Sequence, residues 1–93
     1  MAKSRDQYHR MQRFVRGFSN HRRIEILLYL NEHKGASVVD VAEALGVKLN
    51  TISAHVIRLA NANLVWKHSD GVAAKCELSR EGESVVKFLK LFL

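Results

Sequence analysis

Between Lys48 and Lys67 the chain carries no Asp or Glu. The polar groups in that stretch include Asn50, Thr51, Ser53, His55 and Arg58, with Lys48 and Lys67 at its ends. Asn can pair with adenine, Arg with guanine, and Ser or Thr with a base or a phosphate. A solvated helix face usually mixes Glu with Lys, so the missing acid suits a surface that approaches phosphates and base edges.

The spacing predicts that a helix over 48–62 presents these groups. At about 100° per residue from Ile52, Val56 and Leu59 fall on one side with Leu49 close by, which makes that side the core edge. Asn50, Ala54, Ile57 and Asn61 point away, and Thr51, Ser53 and Arg58 flank them. Ser37 and Asp40 form a capping-box variant that starts a short helix, and Gly46 stops it. Val38, Val41, Ala42 and Leu45 supply its inner edge, while Val47 and Ile52 plug the space between the two helices. Two short helices joined by a tight turn that contains Gly are a helix-turn-helix, expected over 37–62.

The flanking segments complete the frame. Tyr8, Met11, Phe14, Val15 and Phe18 are three, four and seven apart, giving an apolar stripe on a first helix, with Arg10, Arg13 and Arg16 off it. Ser19 and Asn20 offer an N-cap for a helix over 20–34. That helix is expected to bury Ile24, Leu27, Leu28 and Leu30, with Ile26 and Tyr29 widening the face and Gly35 as C-cap. After Asn63 the period changes to two, and Ser69-Asp70-Gly71 makes a hairpin turn between strands led by Leu64 to Trp66 and running back from Val72 to Leu78. Ser79 caps a last helix with Glu81 and Glu83 in its first turn. The expected fold is mainly α with a small β-hairpin wing (α+β): one winged helix-turn-helix domain over 1–93. Its parts are a first helix in 1–18, a second in 20–34, the helix-turn-helix in 37–62, the wing in 64–78 and a last helix in 79–93.

Composition narrows the function classes. With 47% hydrophobic and 26% charged residues, the 93-residue chain is an ordinary soluble domain with one modest core. No apolar run is long enough to cross a bilayer, and the basic N-terminus has no apolar segment behind it, so no secretory signal is expected. The lone Cys76 excludes an internal disulfide and fits a reducing compartment, so the expected location is cytoplasmic. Residues 1–23 hold Lys3, Arg5, Arg10, Arg13, Arg16, Arg22 and Arg23 against Asp6 alone, and the rest sums to zero net charge, so the formal +6 sits at the N-terminal end. That excess suits a polyanion partner or a solubilising face. No Gly-rich phosphate loop, nucleophile elbow or framed carboxylate pair is present, so no enzyme and no catalytic residue is expected.

The segments FSNHRRIEILLYLNEH and SVVDVAEALGVKLNTISAHVIRLANANLV resemble the winged-helix core of ArsR-type regulators. LSREG at 78–82 is similar to the strand-to-helix junction of MarR-type relatives. The resemblance covers 18–84. It implies a homodimer that binds an inverted repeat in double-stranded DNA, usually as a repressor released by an effector. Carried over by position, Lys48, Asn50, Thr51, Ser53, Ala54 and Arg58 would contact DNA. The family commonly has a polar residue at Leu49, His at Ala54 and a basic residue at Ile57. Those departures shift base reading toward thymine methyl contacts.

Lys67 and His68 at the start of the wing, with Lys75 opposite, are placed to reach a minor groove or backbone, or are plain hairpin polars. His55 on the helix flank is either a half-buried, locally bonded ring or a phosphate contact. A metal site is not expected. The Cys-Val-Cys segment of metal-sensing relatives reads Ser37-Val38-Val39-Asp40 here, the last helix lacks Asp and His, and the five His are scattered. No cofactor is expected. The apolar surplus of the first and last helices, Tyr8, Met11, Phe14, Val15 and Phe18 with Val85, Phe88, Leu89 and Phe92, is expected to pair across a two-fold axis. Two alternatives stay open. One is a winged-helix module for a protein or RNA partner, favoured by Leu49, Ala54 and Ile57. The other is a non-specific architectural DNA binder using the basic first helix.

Overall fold

The computed structural model describes residues 5–93. Lys3 and the rest of 1–4, which belong to the expected first helix and basic segment, lie outside the described residues. The elements are α1 (Arg5–Phe18), α2 (His21–Glu32), α3 (Val38–Leu45), α4 (Leu49–Asn61), β1 (Val65–Lys67), β2 (Cys76–Leu78) and α5 (Arg80–Lys90).

Local hydrogen bonds set most of the boundaries. Asn20 Oδ1 accepts the backbone N–H groups of Arg22 at 2.9 Å and Arg23 at 3.1 Å, which starts α2. Ser37 Oγ accepts from the Asp40 N–H at 3.1 Å, and Asp40 Oδ2 accepts from the Ser37 N–H at 2.9 Å, a complete capping box for α3. Gly46 closes α3 at φ 67°, a left-handed conformation that costs Gly nothing, and the chain turns directly into α4. Asn63 takes φ 62° after α4. Ser79 Oγ accepts from the Gly82 N–H at 2.9 Å and donates to the Asn63 carbonyl at 2.6 Å. One hydroxyl thereby starts α5 and ties it to the end of α4. Gly82 is there because a Cβ would collide with the Leu64 carbonyl oxygen.

The core lies under the helix-turn-helix. Ile26, Leu27 and Leu30 of α2 meet Val38 and Val41 of α3, Ile52, Val56 and Leu59 of α4, and Leu64, Val65, Cys76 and Val86. The hairpin is antiparallel, with Val65 opposite Leu78, Trp66 opposite Glu77 and Lys67 opposite Cys76.

Four local expectations change. In α2 the face is centred on Ile26, while Ile24 and Leu28 are only partly buried, because α3, α4, α5 and β2 all pack on the Ile26–Leu30 side. The C-cap of α2 is His33, and Gly35 takes its positive φ two residues later. Leu49 does not join the core. It is the first residue of α4 and stays 37% exposed. The return strand begins at Cys76, not Val72, because the segment before it turns toward the start of α3, and only the Lys75 carbonyl stays on the β1 side, accepting from the His68 N–H at 3.1 Å. Val39 N–H donates to the Val72 carbonyl at 3.1 Å, Cys76 N–H donates to the Ala36 carbonyl at 2.8 Å, and Ser37 and Lys75 form an antiparallel bridge. The wing loop is thus pinned to the helix-turn-helix. Among the described residues no helix is long and apolar enough to cross a membrane.

Candidate nucleic-acid interface

The buried positions of α4 fix its outward face. Ile52, Val56 and Leu59 are fully enclosed, and Asn50, Thr51, Ala54, Ile57, Arg58 and Asn61 are exposed. Ser53 is half-buried, and Lys48 is exposed at the N-cap, where no side-chain capping bond holds it. An open cleft beside this face brings Asn50, Thr51 and Arg58 together with Asn20, Arg23 and His55.

Arg23 is the residue that sequence reasoning missed. Its Nε donates to the Gly17 carbonyl at 2.8 Å and its Nη2 to the Arg16 carbonyl at 3.4 Å, while Nη1 lies 3.3 Å from His55 Nδ1. A guanidinium has no acceptor, so Nη1 donates, His55 Nδ1 accepts, and the neutral ring carries its proton on Nε2. Burial first, and then the charges of Arg23 and Arg58, hold the His55 imidazole below its usual pKa. His55 is therefore a neutral strut between α2 and α4. The sequence marked Arg23 only as one member of the basic excess over residues 1–23, and nothing local links it to a residue 32 positions on.

On the wing, Lys67 is half-buried, and His68 and Lys75 are exposed. His68 Nε2 lies 3.3 Å from Glu77 Oε2, so an acid shares the wing with the three basic groups. Trp66 stands out from β1, 65% exposed.

The two apolar stripes are brought side by side. Phe18 of α1 meets Phe88 of α5 edge-to-face with ring centroids 6.4 Å apart, and Phe88 meets Phe92 at 5.1 Å. Phe14, Phe18, Val85 and Leu89 partly pack on the core of their own chain, while Tyr8, Met11, Val15, Phe88 and Phe92 remain exposed. Cys76 is buried, its Sγ 3.8 Å from the Ala74 carbonyl, and burial pushes its thiol pKa up. Among the described residues no three His, Cys, Asp or Glu side chains stand together as a metal site would require.

A capped helix-turn-helix, an acid-free outward helix face and a hairpin pinned beside it define a winged-helix DNA-binding domain. The winged helix-turn-helix DNA-binding family model matches residues 19–65, and the chain belongs to that family. No curated protein sequence matches the chain. Among solved structures, HlyU from Vibrio cholerae superposes with a TM-score of 0.83 at 20% identity over 96% of this chain and 97% of that one. A homodimeric winged helix-turn-helix DNA-binding domain from Mycobacterium bovis, a possible ArsR-family transcriptional regulator, superposes at 0.78 with 22% identity, covering 99% of this chain and 89% of that one. A MarR family transcription regulator superposes at 0.74 with 18% identity over 91% of this chain and 58% of its own. The fold is thus that of ArsR- and MarR-type regulators.

Proposed function

We propose that the chain is a homodimeric, sequence-specific transcriptional regulator in the cytoplasm that reads an inverted repeat in duplex DNA and represses by occupying it. The observation that carries this reading is the exposed, acid-free face of α4 on a helix-turn-helix. Asn50 has the bidentate edge for adenine, Arg58 that for guanine or a phosphate, and Ala54 and Ile57 offer apolar contact to thymine methyls. Lys48, Thr51 and Ser53 sit on the same approach, and Lys67, His68 and Lys75 reach for the backbone from the wing. Tyr8, Met11, Phe14, Val15 and Phe18 of α1 and Val85, Phe88 and Leu89 of α5, with Phe92 just beyond it, form the two-fold contact. Symmetry then places two α4 helices about one DNA turn, roughly 34 Å, apart.

Selection from random duplex DNA at near-physiological salt tests it, with Asn50→Ala and Arg58→Ala beside the wild type. The expected outcome is an enriched inverted repeat with half-sites about a turn apart. Each variant relaxes its own position and weakens binding by about 1–3 kcal/mol. Binding without any enriched sequence, indifferent to both variants, would replace this reading with an architectural DNA binder. Absence of binding would leave a module for a protein or RNA partner.

A further inference from the structure

Four arginines from three helices meet at one cleft. Arg13 and Arg16 of α1, Arg23 of α2 and Arg58 of α4 line it together with Asn61. Gly17 and Ala62 line it too, where α1 comes so close to the end of α4 that a Cβ on Gly17 would collide with Ala62. The described ion pairs are Arg22–Glu25, His68–Glu77 and Lys90–Glu32, and none of them involves these four arginines. The one acid of α1, Asp6, is seven residues from Arg13, about 10 Å along the helix. Helix α4 has no acid at all.

A face that is merely solvated interleaves its charges, whereas this one gathers cations without a counter-ion. Its field is felt by its neighbours: Arg58 lowers the pKa of both Arg23 and His55, after burial in each case. Three contacts fix Arg23, to Gly17, Arg16 and His55, so one of the four guanidiniums is already oriented. Arg58 also lines the cleft shared with Asn50 and Thr51, so the cationic notch continues the outward face of α4 toward its C-terminal end. On α1, Arg13 and Arg16 lie roughly opposite Met11 at about 100° per residue, clear of the apolar stripe.

We propose that Arg13 and Arg16, with Arg23 and Arg58, grip backbone phosphates of duplex DNA beside the base pairs read by α4, so that α1 is a DNA-binding element on one side and a dimer element on the other. The proposal rests on the reading of α4 as a duplex-DNA reader. Planar guanidiniums match phosphate oxygens two at a time, and each phosphate neutralised releases condensed counterions. This contact adds affinity and orientation and carries no sequence information.

The test is titration of the full chain against the selected duplex and a scrambled one at several salt concentrations. Wild type, Arg13→Gln/Arg16→Gln, Arg13→Lys/Arg16→Lys and Asn50→Ala are compared, with thermal melts and sedimentation on each. The Gln pair is expected to lose roughly tenfold in affinity on both duplexes. Its slope of log affinity against log salt should fall by about 4, two contacts from each protomer of the dimer, while the Lys pair keeps the wild-type slope because it keeps the charge. Asn50→Ala should instead lose affinity on the selected duplex with its slope kept. Wild-type affinity and slope in the Gln pair would overturn this inference alone, as would a loss traced to a monomeric or unfolded variant. A wild type that binds no duplex would overturn the proposed function and this inference with it.

Discussion

His55 is a base surrounded by cations. Burial acts on it first, then Arg23 and Arg58, and to a smaller extent Arg22 and His21, all in the direction of the neutral ring. The folded-state pKa is therefore below the unfolded value of about 6.5. Above that pH both states hold the ring neutral, and His55 contributes no pH dependence. Below it the unfolded chain takes up a proton that the folded chain resists, so stability falls with acidification. The expected outcome is a melting temperature that drops between pH 7 and pH 5.5 in the wild type and drops less in His55→Asn. That variant keeps an acceptor for Arg23 and does not titrate. Identical slopes in the two proteins would show that the ring is not held neutral by its neighbours. Residues near the strut were only partly legible. The sequence left His55 as either a half-buried, locally bonded ring or a phosphate contact; it is half-buried, and its partner Arg23 comes from another helix.

At the scale of elements, caps and close approaches do the positioning. Ser79 is buried and serves two partners, the Gly82 N–H and the Asn63 carbonyl. Ser79→Ala removes the cap of α5 and leaves the Asn63 carbonyl without its hydroxyl donor. A loss of about 2 kcal/mol is expected in denaturant unfolding, with an unchanged m-value. A loss under about 0.5 kcal/mol would mean that water replaces the hydroxyl at both ends. The wing shows where element reading stopped short. Alternation through Val72–Leu78 pointed to a long return strand, but the Val72 carbonyl accepts from Val39 of α3, and Lys75 bridges the N-cap Ser37 while its carbonyl accepts from His68. The hairpin is therefore short and its loop is tied to the helix-turn-helix, which holds Lys67, His68 and Lys75 at a set distance from α4.

For the whole molecule, α1 and α5 form one apolar surface that a single chain leaves partly open. Met11 is 56% and Phe92 73% exposed, so neither is needed to fill the core of its own chain. Met11→Glu/Phe92→Glu is expected to stay folded, to sediment as a monomer at micromolar concentration, and to lose most of its DNA affinity because the second half-site contact is no longer tethered. A variant that still sediments as a dimer would place the interface elsewhere.

What the sequence determined by itself was local. The Asn20, Ser37 and Ser79 caps, the Gly46 turn and the left-handed Asn63 each depend on partners within a few residues, and periodicity then assigns an inner and an outer side to each helix. The helix-turn-helix and the candidate reading face of α4 follow from those signals. Tertiary structure alone decided that Leu49 falls outside the core, that Arg23 props His55, that Phe18 meets Phe88, and that Arg13 and Arg16 converge with Arg58. Each of these depends on the packing of helices distant in sequence. Local hydrogen bonding and periodicity fix a helix and its faces, but not which neighbour each face will meet.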